Sequence, residues 1–175
     1  MMRADRARTG RNALMVTLRS YLSRVVVVDA IDRNLLDLLR ANARLSFAEL
    51  ARQVGLSAPA VHERVSKLEA AGVIRGYHAD IEPHAIELGV TAIIGVVHDP
   101  AVDLDDVSAA LRALPEAESC HFLAGEESYL LTVRVADLAE LEELVVRLSR
   151  TPGVASTRTT IALSTTWESR LRPLT

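Results

Sequence analysis

From residue 30 onward, Ile31, Leu35, Leu38 and Leu39 fall at i, i+4, i+7 and i+8, the stripe of an amphipathic helix over about 30–41, with Asp29 as its N-cap. A shorter segment follows in which Phe47, Leu50, Ala51 and Val54 share one face behind the capping-box pattern of Ser46 and Glu49, and Gly55 ends it. Ser57 starts a third helix, with Pro59 in its first turn, Val61, Val65 and Leu68 at i, i+4 and i+7, and Gly72 as its stop. Only "GLS", residues 55–57, separates the last two helices. Helices so short and so tightly joined must cross at a large angle to bury their stripes, which is helix-turn-helix geometry. After the stop, "VIRGYHADI" alternates as a strand does, and Pro83 and Gly89 punctuate the passage beyond it, so residues 76–88 are predicted to be a connector strand.

The second half repeats its own pattern. Strand "VTAIIGVV" (90–97) leads to an Asp-initiated helix with Val107, Ala110, Leu111 and Leu114 on one face, then Pro115 and strand "ESCHFLA" (118–124). Strand "YLLTVRV" (129–135), a helix after Asp137 with Leu141, Leu144, Val145 and Leu148, Pro152 and strand "ASTRTTIAL" (155–163) follow in the same order. Two such βαβ units predict a four-stranded sheet with both helices on one face, the ferredoxin-like arrangement. Several of Ile93, Val97, Phe122, Leu131 and Val133 would line the face left bare, and a partner subunit is the expected cover.

Charge sharpens this division. Residues 1–85 carry 13 Lys+Arg against 9 Asp+Glu, net +4, while residues 86–175 carry 7 against 14, net -7. The first 28 residues hold six arginines (Arg3, Arg6, Arg8, Arg11, Arg19, Arg24) and one acid, Asp5. Their apolar run is too short for a secretory h-region, which excludes export. A disordered tail, a DNA-binding arm, and a gene start at Met15 remain open readings of this extension. One cysteine, Cys120, excludes an intramolecular disulfide framework, and no apolar run is long enough to span a membrane. A soluble, cytoplasmic, nucleoid-associated protein is expected.

Catalysis finds little support. Cys120 and His121 are neighbours in a strand, so their side chains point to opposite faces and cannot act as a nucleophile and base. The five histidines show no metal-ligand spacing, and no glycine-rich phosphate loop is present. The expectation is a non-enzyme without metal or cofactor. The third helix offers more, because the N-terminal part of such a helix enters the major groove. Ala58, Pro59, His62, Glu63 and Ser66 are then the candidates for base edges. Arg44, Ser46, Arg52, Ser57 and Lys67 are candidates for phosphates. For Arg64 a structural ion pair and a phosphate contact are both open.

These residues resemble a known family. "VDAIDRNLLDLLRANARLSFAELARQVGLSAPAVHERVSKLEAAGVIRGYHADIEPHAIELG" is similar to the DNA-binding half of the Lrp/AsnC, or feast/famine, transcription regulators, through Asp29, Asp32, Arg44-Leu45-Ser46, Gly55-Leu56-Ser57, Arg64, Leu68-Glu69, Gly72-Val73-Ile74 and Gly76-Tyr77. The resemblance extends over residues 28 to about 165. It implies an α+β chain with a winged helix-turn-helix domain (29–75), the connector strand (76–88), a ferredoxin-like βαββαβ effector and assembly domain (89–165), and a tail (166–175). It also implies double-stranded DNA as partner, dimers paired through their sheets and associated into octamers or related assemblies, connector strands paired across the dimer, and an amino-acid effector. The pocket for that effector would use Gly125, Glu126, Glu127, Ser128 and Tyr129, with Gly125 keeping the backbone open to approach and a glutamate taking the ammonium group.

Two departures stand out. The helix face formed by His62, Glu63 and Ser66 is less basic than the family's usual recognition helix, and "GEESY" has Ser128 where the family's turn usually has an aspartate. An architectural DNA-wrapping protein with little sequence selectivity and no effector is the alternative reading.

Overall fold

A computed structural model describes residues 27–168 and 174. They form two compact units, one of the residues up to Ala79 together with Leu174, the other from Asp80 onward.

In the first unit, three helices follow the expected boundaries: α1 (Ala30–Ala41), α2 (Phe47–Val54) and α3 (Ala58–Ala70). Side chains satisfy the orphan amides at each helix start. Asp29 accepts from the Asp32 amide at 2.8 Å while its own amide donates to Asp32 Oδ2. Ser46 and Glu49 form the same reciprocal box on α2, and Ser57 Oγ accepts from the Ala60 amide at the start of α3. Gly55 closes α2 in the left-handed conformation (φ 72°), where a Cβ would be strained. The three apolar stripes meet in one core of Leu35, Leu39, Leu50, Ala51, Val61 and Val65. Phe47 departs from its expected place in that core: it is 39% exposed and sets its ring edge-on to His62, with centroids 4.9 Å apart.

One guanidinium fixes α3 against α1. Arg64 Nη1 lies 2.7 Å from Asp29 Oδ2 and 2.8 Å from Asp32 Oδ1. The backbone amide of Asp32, and then the Arg64 guanidinium, hold the Asp29 carboxyl below its ordinary range.

Within the single chain no strand lies between Ala70 and Val90, and pairing of residues 76–88 with their counterpart in a second copy stays a proposal. Val73 and Ile74 instead terminate α3, both amides reaching back to the Leu68 carbonyl, and Ile74 packs on the helical core. Tyr77 donates its hydroxyl to Glu69 at 2.8 Å; burial and this carboxylate push the phenol up to about 12. Pro83–Ile86 is a single 3₁₀ turn. A lone extended segment needs a neighbouring backbone to form a ladder, which the expected pairing across a dimer would supply.

The second unit runs β1 (Val90–His98), α4 (Leu104–Arg112), β2 (Ala117–Phe122), β3 (Tyr129–Val135), α5 (Leu138–Ser149) and β4 (Val154–Ile161). Its antiparallel sheet has the order β2-β3-β1-β4. Asp103 and Asp137 cap the two helices. Ala92, Ile94 and Val96 of β1 and Leu131, Val133 and Val135 of β3 are buried in one core with Val107 and Leu111 of α4 and Leu141, Leu144 and Leu148 of α5.

That parity places Leu131 and Val133 under the helices rather than on the bare face. Phe122 pairs with Tyr129 and shares its face, while Ile93 and Val97 point the other way. The uncovered face is therefore mixed. Alternation and register put Ile93, Leu130, Thr132, Arg134, Arg158 and Thr160 on it. Arg134, nearly buried, is held there by Glu118 at 2.7 Å and by Glu168.

Two stability predictions follow from this packing. Gly153 (φ 86°) turns the chain from α5 into β4, and a Cβ there would lie 2.4 Å from Val107 Cγ2 and 2.9 Å from Val102 Cγ1. Gly153→Ala should cost about 2 to 3 kcal/mol, read as a lower denaturation midpoint. In the first unit, a depressed carboxyl pKa gives stability that is complete above the unfolded value and lost as pH falls through the folded one. Acid should therefore loosen α1 from α3 below about pH 4. Arg64→Ala should move the acid midpoint of the helical circular-dichroism signal to higher pH, since less then holds Asp29 ionised.

Candidate nucleic-acid interface and effector turn

The tight turn 55–57 and the Ser57 cap leave one side of α3 outside the core. Pro59, His62, Glu63 and Lys67 are exposed on it and Ser66 is half-buried. Ala58, expected among the base readers, packs against the helical core instead. Glu63 and Lys67 form an i, i+4 ion pair at 2.6 Å, and Lys67 holds the Glu63 carboxyl below its ordinary range. This face therefore offers one imidazole, one hydroxyl and a self-neutralised pair.

The phosphate candidates divide by how much they are already engaged. Ser46 Oγ donates to Glu49 Oε2 at 2.7 Å and accepts from the Glu49 amide, and that hydroxyl together with the Ser46 amide draws the Glu49 carboxyl pKa down. Ser57 is engaged as a cap, whereas Arg44 and Arg52 are exposed. Arg64 is a structural residue, spent on Asp29 and Asp32. What sequence reasoning missed here is the Phe47–His62 contact, which fixes the His62 ring against α2. The only sequence signal for it was an aromatic residue at the first position of α2.

The turn between β2 and β3 brings together some of the expected effector residues and separates others. The Ser128 amide donates to the Val96 carbonyl at 2.8 Å, and its carbonyl accepts from the Leu123 amide, so the turn is a tight continuation of the ladder. Ser128 Oγ accepts from the His98 amide at 3.4 Å. Glu127 folds back over β1, where a Cβ on Gly95 would come within 2.7 Å of its Cγ. Its carboxylate lies 3.0 Å from Arg158, and that of Glu126 lies 3.6 Å from the same guanidinium.

Arg158 was not anticipated. It stands opposite Gly95 in the β1–β4 register, about thirty residues from the turn in sequence. Gly95, rather than Gly125, is the glycine whose missing side chain makes room, since a Cβ on Gly125 meets only an ordinary contact at 4.0 Å. Tyr129 points to the opposite face: it is buried, its hydroxyl donates to the Leu104 carbonyl at 3.0 Å, and it lies 2.9 Å from Ser108 Oγ. Burial raises its pKa. A shallow cleft between α4 and β2, lined by Ser108, Arg112, Cys120, Phe122 and Tyr129, lies on that helix side and includes none of residues 125–128.

Among the described residues no group of three or more His, Cys, Asp or Glu side chains is placed to hold a metal ion, and no helix is long and apolar enough to cross a membrane.

Comparison with known proteins agrees with this geometry. Residues 28–69 match the AsnC-type helix-turn-helix domain, and residues 91–171 match the Lrp/AsnC ligand binding domain. The HTH-type transcriptional regulator LrpA of Mycobacterium tuberculosis is 43% identical over 143 residues, covering 82% of this chain and 95% of that protein. The leucine-responsive regulatory protein of Escherichia coli is 36% identical, over 78% of this chain and 85% of its own length. A feast or famine regulatory protein of M. tuberculosis solved in complex with L-methionine superposes with a TM-score of 0.79 at 42% identity, over 84% of this chain and 99% of that one. A transcriptional regulator of Neisseria meningitidis, also solved with L-methionine, gives a TM-score of 0.74 at 34% identity, over 79% and 91% of the two chains.

Proposed function

The chain belongs to the Lrp/AsnC family of transcriptional regulators, and we propose that it docks α3 in the major groove of its operators as a homo-oligomer and responds to an amino acid at the β2–β3 turn. The observation that carries the DNA part is the exposed face of α3, presented beyond a three-residue turn and locked to α1 by Arg64. His62 and Ser66 are the side chains that read bases, Lys67 and the exposed Arg44 and Arg52 meet phosphates, and Pro59 packs against the groove wall. Two copies are required because a two-fold operator presents half-sites about 34 Å apart. The uncovered sheet face, with Ile93 exposed, supports pairing between copies. The role proposed is cytoplasmic, and regulatory rather than catalytic, with transcriptional regulators as the proteins this chain is similar to.

For the effector, the supporting observation is the charge pair at the turn. An α-amino acid carries one charge of each sign, so its carboxylate can take Arg158 while its ammonium takes Glu127 or Glu126, replacing an ion pair that the protein otherwise makes with itself. The relatives solved with L-methionine make an amino acid the class to test.

Three measurements check this reading. His62→Ala and Ser66→Ala should each change which operator bases matter, by about 1 to 3 kcal/mol of discrimination per good contact; an unchanged footprint and sequence preference removes them from base readout. Lys67→Ala should weaken all duplexes alike and make the slope of log K against log salt shallower by about one. Calorimetric titration of the common amino acids should show binding to the wild type that Glu127→Gln weakens by about 10-fold or more. Binding unchanged in both Glu127→Gln and Glu126→Gln refutes the carboxylate role, and no heat with any amino acid refutes the effector site.

A further inference from the structure

His62 lies on the face of α3 that the core leaves open, between two residues whose directions are fixed. Val61 before it is fully buried, and Val65 beyond it is 1% exposed. These anchors set where the His62 backbone lies, but not where its ring points. A histidine on an exposed helix face has more than one staggered χ1 open to it, and its terminal torsion is broad. The ring of His62 is met edge-on by Phe47, with centroids 4.9 Å apart and planes at 86°. Among the described residues neither ring nitrogen has a hydrogen-bond partner, so donor and acceptor are both unspent.

The partner ring is itself held in place. Phe47 is the first residue of α2, and the reciprocal box of Ser46 and Glu49 brackets it, the Ser46 amide donating to Glu49 Oε2 at 2.8 Å and the Glu49 amide to Ser46 Oγ at 3.2 Å. One turn further on, Leu50 and Ala51 are in the core. At the far end of α2 the Leu56 amide donates to the Ala51 carbonyl at 3.0 Å, and Ser57 Oγ then caps α3. Both rings are thus carried on backbone fixed by caps. Phe47 is nonetheless 39% exposed, so it contributes far less burial than an aromatic side chain can. The ring it does engage belongs to a proposed base reader.

We infer that Phe47 is a positioning residue for base readout, holding the His62 imidazole in the orientation from which its nitrogens reach a base edge. This rests on the DNA-binding reading proposed above, and it assigns no base contact to Phe47 itself. The consequence falls on selectivity rather than on grip. A ring ordered before DNA arrives bonds the right base with no further loss of freedom. A free ring loses freedom when it bonds, and it bonds only on the right base. Removing Phe47 therefore penalises the preferred sequence alone. Duplexes on which His62 makes no bond are bound as before, and the number of phosphates neutralised does not change.

The test uses the full chain. Wild type selects its preferred duplex from a random-sequence pool, and fluorescence anisotropy then scores every single base-pair change in that duplex. The variants are His62→Ala, Phe47→Leu and Phe47→Met, which keep apolar bulk without a ring, Phe47→Tyr, which keeps the ring, and Phe47→Leu combined with His62→Ala. Thermal melts establish that each is folded. His62→Ala should flatten discrimination at one base pair. Phe47→Leu and Phe47→Met should lower discrimination at that same base pair by about 2- to 10-fold, with random-duplex affinity and salt slope unchanged. Phe47→Tyr should restore it, and in the His62→Ala background Phe47→Leu should add nothing. The nuclear magnetic resonance signals of the His62 ring should lose their ring-current displacement in Phe47→Leu and keep it in Phe47→Tyr. Full discrimination without the Phe47 ring overturns the positioning role and leaves the regulator reading intact. Equal weakening on all duplexes also overturns it, as does a Phe47→Leu effect that persists without His62, since Phe47 is then a direct contact. An unchanged preference in His62→Ala removes His62 from the readout and Phe47 with it. A wild type that binds no duplex at any salt removes the DNA-binding reading itself.

Discussion

The orientation of the recognition helix depends on a single guanidinium. Arg64 reaches from the middle of α3 to Asp29 and Asp32, which are also the two residues that cap α1 by exchanging hydrogen bonds with each other's amides. The same carboxylates therefore start one helix and hold another, so the angle between α1 and α3 and the integrity of the α1 terminus are one property. Asp32 is nearly buried, and a carboxylate in that position is tolerable only because a cation and an amide satisfy it. The arrangement takes Arg64 out of service as a phosphate ligand. A basic residue on a recognition helix is here a positioning device.

In the second unit the corresponding constraint is strand register. Pairing of β1 with β4 sets Arg158 opposite Gly95, and the bare backbone at Gly95 leaves room for Glu127 to fold over the sheet and meet that guanidinium. Two charged groups distant in sequence thus become partners on the face the helices leave uncovered. On the other face, the alternation that buries Leu131 and Val133 also buries Tyr129 beneath Phe122 and α4. Adjacent residues of one turn, Ser128 and Tyr129, consequently serve opposite sides of the sheet.

How much could be read in advance varied with the range of the interaction. The bounds of α1, α2 and α3 were legible because caps, stripes and stops are local: Ser46 with Glu49, Ser57 with Pro59, and Gly55 act within one turn of the helix they delimit. The repeated Asp-helix-Pro-strand order was enough for the antiparallel sheet with its helices. The strand pattern over residues 76–88 calls for a neighbouring backbone that the single chain does not contain. At Ala58 and Phe47, near the start of a short helix, periodicity leaves the inward direction ambiguous by a residue, and packing decides it.

The helix-turn-helix, the βαββαβ order, the family resemblance and the separation of basic from acidic halves can be read along the chain, because each is written in spacing, capping chemistry or composition. That Arg64 belongs to α1, that Lys67 is tied to Glu63, that Tyr129 is core and that Arg158 shares the turn's charge emerges from the packed fold alone. Which charge meets which depends on rotamer, register and the face a strand turns inward. Those are settled by contacts between residues far apart in the chain, and no local pattern encodes them.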